Sequence, residues 1–226
     1  QRLRVLVPAA AYLKRTGTDQ ARYERLGSQI EGLVARLVST QNPNGDWSWT
    51  LPPPYGQQLR RSPDVTVTIE AVIALAEARQ AGYAAPDQTL TKALGFLDNA
   101  YKNEGSVESD RKAYILYAQG VAGAADFANV NHLYRMRNSL TARSLTLLAM
   151  TLRGMGRDEM AKEVLDLLLS RTSREALTAQ TATATTTALK ATDLDAPLAL
   201  QADSVEDVAL AARAAGRPLP LRPQPP

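Results

Sequence analysis

The 226 residues include no Cys and one His, carry 26 Lys+Arg against 23 Asp+Glu for a net charge of +3, and are 45% apolar. That composition excludes a disulfide framework, Cys-ligated zinc or iron–sulfur centres and a Cys nucleophile within the chain, and it leaves Ser–His or His-rich metal chemistry almost no material. A chain this long buries a sizeable core without staples. Its intermixed charges form no basic stripe for nucleic acid, and it contains no run of about 18 apolar residues to cross a membrane.

The chain opens Gln1-Arg2-Leu3-Arg4, with neither Met nor a signal-peptide pattern, and reads as a cut from a longer protein. Helical periodicity then dominates, and helices are predicted over 2–15, 19–40, 65–81, 87–102, 110–123, 127–137, 140–154 and 157–171. In the second of these, Tyr23, Leu26, Ile30, Leu33, Val34 and Leu37 recur at spacings of three and four and so share one face. Val65, Ile69, Val72, Ile73 and Ala76 do the same in the third, Leu90, Leu94, Leu97 and Tyr101 in the fourth, and Tyr114, Tyr117 and Val121 in the fifth. Leu145, Leu148 and Leu152 mark 140–154, and Val164, Leu167 and Leu168 mark 157–171. Gly82, Gly123 and Gly156 stand where a helix end favours a left-handed residue. Asp64, Asp110 and Asp158 stand at or near starts, where a carboxylate accepts orphan amide bonds. No alternating strand pattern occurs, so the predicted class is all-α. The helices fall into antiparallel pairs that begin near 2, 65, 110 and 140, too unevenly for a solenoid of fixed period and better suited to an α/α barrel of helix pairs with variable loops.

Two stretches break the pattern. Residues 41–63 hold Asn42-Pro43-Asn44-Gly45, Pro52-Pro53-Pro54 and Ser62-Pro63, a long loop of the kind that often carries function. From about 172 the chain turns Thr/Ala-rich, with Ser204 placed to cap one more helix bearing Val205, Val208 and Ala212. The predicted organisation is a helix-pair domain over 1–171, a helical or irregular closing segment over 172–217 and a Pro-rich tail over 218–226.

The most specific local signal is Gln41-Asn42-Pro43-Asn44-Gly45-Asp46-Trp47, a Q-x-x-x-G-x-W pattern at a helix end. Gly45 permits a tight turn, Trp47 can pack back between helix ends, and the Gln41 amide can bond the carbonyls of a helix terminus. A structural staple is the simpler reading, a ligand-stacking Trp the other. The motif resembles one that recurs in α/α-toroid proteins: terpenoid cyclases, protein prenyltransferase β-subunits, and the thioester domains of complement and alpha-2-macroglobulin. Other segments choose among these. The stretch from Thr66 to Tyr83 followed by Pro86, Asp110-Arg111-Lys112-Ala113-Tyr114-Ile115-Leu116-Tyr117-Ala118, and Leu133-Tyr134-Arg135-Met136-Arg137-Asn138-Ser139-Leu140 running on to Met155-Gly156-Arg157 are similar to bacterial alpha-2-macroglobulin thioester domains. Gln1 and Pro8 have the spacing of that family's thioester Gln and a helix Pro seven residues later, with Ala9-Ala10-Ala11-Tyr12-Leu13 behind. The resemblance covers about 1–171.

The resemblance implies an α/α toroid, incomplete or open at its C-terminal end because fewer helix pairs are evident than a full ring has. It implies a non-enzymatic domain of a protease trap, with no catalytic residue, cofactor or metal. Gln1 would be the acyl half of a Cys–Gln thioester whose thiol lies three residues upstream, outside this chain. Some bacterial relatives lack the thioester. Implied partners are target proteases and the macroglobulin and CUB-like domains of a parent chain, and the implied location is extracytoplasmic, in the periplasm or at the cell surface. Complement-type members carry a His before the third helix pair that redirects the acyl group to hydroxyls. The matching loop here, Asn103-Glu104-Gly105-Ser106-Val107-Glu108-Ser109, has none, which implies transfer to amines. His132 reads as a packed or surface residue.

Two other classes stay open. An α/α-toroid enzyme of the terpenoid cyclase, prenyltransferase or polysaccharide lyase type is one, although Asp193-Leu194-Asp195 is followed by Ala196 where such an acidic motif needs another acid. A helical scaffold that binds a partner through a ring face or the 41–63 loop, with Arg60-Arg61 as a contact, is the other. Arg135, Arg137 and Arg143 near Tyr134 read as a solvated helix face rather than a basic patch.

Overall fold

The computed structural model describes residues 2–49, 64–105 and 108–172, and every regular element among them is helical. The helices are α1 (Arg2–Thr16), α2 (Gln20–Ser39), α3 (Val65–Gln80), α4 (Asp87–Asn103), α5 (Ser109–Val121), α6 (Phe127–Arg135), α7 (Ala142–Gly154) and α8, followed over 158–172. A 3-10 turn, Arg137–Ser139, lies between α6 and α7. Gln1, Arg60-Arg61, the 218–226 tail, Asp193 and Asp195, and all but the first residue of the 172–217 segment lie outside the described residues.

The described residues fall into two compact units, divided between Asn129 and Val130. In the first, α3 is apolar on nearly every side. It buries Thr68, Ile69, Ala78 and the whole run from Ala71 to Ala76, and a helix hydrophobic all round belongs in the interior. α1, α2, α4 and α5 each pack on it. By contrast α2 and α4 bury one stripe each, Ile30 and Val34 on α2 and Leu90, Ala93, Leu97 and Tyr101 on α4. Glu70 meets Tyr114 early in α3 and α5, while Gln80 Nε2 donates to the Val121 carbonyl (2.7 Å) at their far ends. The two helices therefore run parallel, and α4 returns between them. Parallel inner helices linked by antiparallel outer ones are the α/α-toroid arrangement.

In the second unit, Arg171 of α8 donates to the carbonyls of Leu140 (2.7 Å) and Asn138 (2.5 Å), just before α7 begins. The end of α8 thus returns to the start of α7, an antiparallel pair with Leu145, Leu148, Leu152, Val164 and Leu168 in its core.

Local chemistry sets the boundaries. Asp19 accepts from the Arg22 amide (2.8 Å), and Asp64 accepts from the amides of Thr66 (2.8 Å) and Val67 (3.1 Å). Gly82, Gly123 and Gly156 all have positive φ. At Gly82 the paired bonds Tyr83 N to Ala78 O and Gly82 N to Arg79 O, both 3.0 Å, form the left-handed helix ending expected there. Asp110 differs from expectation: it lies in the first turn of α5, while Glu108 holds the cap position without a side-chain bond. Its charge still complements the amide end of the helix. α6 stops at Arg135 rather than 137, because the amides of Ser139 and Leu140 bond three residues back and the Ser139 hydroxyl takes the Met136 carbonyl (2.9 Å).

Candidate functional site

Two arrangements in the first unit carry the residues of interest. The first begins at the end of α2. Gln41 Nε2 donates to the Gly45 carbonyl (3.0 Å) inside its own turn and to the Thr89 carbonyl (2.9 Å) in the first turn of α4. Gly45 has φ +92°, and a Cβ there would lie 2.3 Å from the Lys92 carbonyl oxygen, so the turn rests directly on the α4 backbone. Trp47 is 3% exposed. Its indole Nε1 donates back to the Leu37 carbonyl of α2 (2.9 Å), and its amide donates to Thr68 Oγ1 of α3 (3.0 Å). The Asn42 amide holds the buried Asp46 carboxylate (2.7 Å). Seven residues thereby tie α2, α3 and α4 together, and the indole is enclosed rather than presented to a ligand.

The second arrangement follows Gln1. Leu3, Val7 and Ala10 form the buried stripe of α1. On the next position round the helix, Arg4 reaches α3, with NH1 3.0 Å from Glu70 Oε2 and Nε 3.8 Å from Glu77 Oε2. The Tyr114 hydroxyl of α5 donates to the other Glu70 oxygen. Burial lowers the Arg4 pKa, but the charge and hydrogen bond of Glu70, with the charge of Glu77, raise it further, so the guanidinium is held above its ordinary value. Pro8 sits inside α1 and has no N–H to offer the Arg4 carbonyl one turn back.

Solved structures of bacterial alpha-2-macroglobulins share this architecture. Native Escherichia coli alpha-2-macroglobulin, in a structure of its C-terminal portion, is 17% identical over 71% of this chain and 26% of that one, with a TM-score of 0.54. The trypsin-activated E. coli protein is 16% identical over 66% of this chain and 11% of its own, with a TM-score of 0.53. Salmonella alpha-2-macroglobulin reacted with methylamine is 18% identical over 71% and 11%, with a TM-score of 0.53. The chain has a bacterial alpha-2-macroglobulin fold. At these identities the likeness is one of fold, and the chain spans about a quarter or less of the length of the structures it matches. The sequence matches no family model and no curated protein.

Within the macroglobulin fold, Gln41, Gly45 and Trp47 come together as one cluster, whereas Gln1 lies outside the described residues. Among the described residues no three His, Asp or Glu side chains gather as a metal site, and no helix is long and apolar enough to cross a membrane. His132 is exposed on α6. Arg137 differs from the solvated face expected of it. Its guanidinium lies 4.3 Å from the Tyr134 ring centre and 3.9 Å from Glu163, which also accepts from the Tyr134 hydroxyl. The sequence reading missed the Arg4–Glu70–Glu77–Tyr114 cluster. Its signal was present, since two carboxylates seven residues apart, on one face of a helix otherwise apolar all round, need a cation from a neighbour.

Proposed function

We propose that the chain is the thioester-type domain of a bacterial alpha-2-macroglobulin-like protease trap, acting outside the cytoplasm as a capturing module rather than a catalyst. The observation that carries this reading is the shared helix-pair fold with the E. coli and Salmonella proteins. The family spacing of Gln1 and Pro8 at the head of α1 supports it. Partners are target proteases and the other domains of the parent chain.

The chemistry requires a Cys three residues before Gln1 in the parent. Its thiol and the Gln1 side chain form the thioester with loss of ammonia. When a protease cuts the parent, an amine of the attacker adds to the Gln1 acyl carbon, the C–S bond breaks, and the sulfur leaves with the electron pair as thiolate, which takes up a proton. Thiolate is a far weaker base than an amide nitrogen, so the acyl group is activated relative to an ordinary Gln, and exclusion of water preserves it before cleavage.

Incubating the full-length parent with methylamine tests this. The expected product carries a glutamyl methylamide at Gln1 and one newly titratable thiol, and the treated protein no longer forms covalent conjugates with trypsin. A parent with the upstream Cys that takes up no methylamine at Gln1 overturns covalent capture.

A further inference from the structure

We infer that Arg4 is a positioning residue for the Gln1 acyl group: its ion pairs with Glu70 and Glu77 latch the first turn of α1 to the interior helix. The inference rests on the thioester reading of Gln1. It starts from a weakness in α1. Pro8 leaves the Arg4 carbonyl without its partner one turn on, and its ring crowds that same carbonyl, so the turn that leads out of Gln1 is loosely tied to the rest of its helix by backbone alone. Side chains must hold it. Leu3 and Val7 supply non-directional burial. Direction comes from Arg4, whose guanidinium meets Glu70 at 3.0 Å and Glu77 at 3.8 Å, one carboxylate on each side along α3.

The anchor is itself fixed. Tyr114 of α5 donates to the second Glu70 oxygen, so that carboxylate is gripped from two helices. Glu77 is only 12% exposed at its side chain and Arg4 24%, so solvent screens the pairs less than it would a surface bridge. A charge-assisted network of this kind has two discrete arrangements, engaged or broken, rather than a continuum. Engaged, it fixes the first turn three residues from the acyl donor. Broken, it lets that turn swing about Pro8 and opens the thioester to nucleophiles before any protease has acted.

The test uses the full-length parent, comparing wild type with Arg4→Met, Arg4→Lys, and the charge exchange Arg4→Glu with Glu70→Arg. The readout is the rate of methylamine uptake at Gln1 in uncleaved protein, with circular dichroism as the check that the helices are intact. Loss of the latch is expected to raise the rate roughly tenfold, the change in an opening equilibrium that one charge-assisted hydrogen bond supports. Arg4→Lys retains the charge without the fork and falls between, and the exchange pair restores a slow rate. Equal rates in wild type and Arg4→Met overturn the latch and leave the thioester reading standing. An Arg4→Met protein that misfolds leaves the decision to the exchange pair, whose fast uptake in folded protein overturns the latch. Absence of uptake in the wild type overturns the thioester reading, and the role of Arg4 with it.

Discussion

Gly45 shows how much one missing side chain decides. Its φ of +92° is open to glycine, and its face lies against the Lys92 carbonyl, where a Cβ would come within 2.3 Å. Either feature alone disfavours alanine; together they require the turn to lift from α4. Gly45→Ala is expected to destabilise the chain by about 3 kcal/mol, seen as a lower denaturant midpoint with an unchanged slope. Gly82 makes the comparison informative, because it has the same sign of φ and nothing within 4 Å of a Cβ, so alanine there meets backbone strain without a clash. The identity of Gln41, Gly45 and Trp47 as a cluster was legible because the spacing is short and the residue types are unusual. Which carbonyls the Gln41 amide meets was not, since Thr89 lies 48 residues on and only packing brings α4 to it. Arg4 was illegible for a similar reason: an arginine near a helix start looks like any solvated residue until α3 is beside it.

At the scale of elements, the caps set where helices begin. Asp64 satisfies two orphan amides of α3, and its own amide bonds the Trp47 carbonyl (3.2 Å), so it joins the start of the interior helix to the staple. Asp64→Ala is expected to lower stability by about 1 kcal/mol, and Asp64→Asn to recover most of that, as read from thermal unfolding. The helix positions themselves were readable from periodicity, because each amphipathic stripe buries one face. α3 was readable as a helix but its central place was concealed in the same fact that explains it: being apolar throughout, it has no preferred face to point inward. Helix ends were less legible. α6 yields to a 3-10 turn because Ser139 and its neighbours satisfy the last carbonyls locally, a competition that apolar spacing does not register. Thr141, whose hydroxyl accepts from the Ser144 amide (3.2 Å), caps α7 in the same unannounced way.

For the molecule as a whole, the proposed reading makes a chemical prediction that separates it from complement-type transfer. The loop from Asn103 to Ser109 holds no His to convert the acyl group into a form that hydroxyls attack. Conjugates between the parent and a protease are therefore expected to be amides, resistant to hydroxylamine, whereas ester conjugates would release the protease under the same treatment. Electrophoresis before and after hydroxylamine reads the outcome, and release of the protease would overturn transfer to lysine. The sequence by itself determined the class and most helices, since periodicity, caps and terminal glycines are local and repeat along the chain. It also excluded chemistry that needs Cys or several His, because composition is complete without any fold. Only the tertiary structure decided that α3 lies at the centre, that α5 runs parallel to it, and that Arg4, Glu70, Glu77 and Tyr114 form one network. Those features depend on the direction in which helices far apart in sequence meet, and a buried charge has meaning only once its partner has been brought within reach.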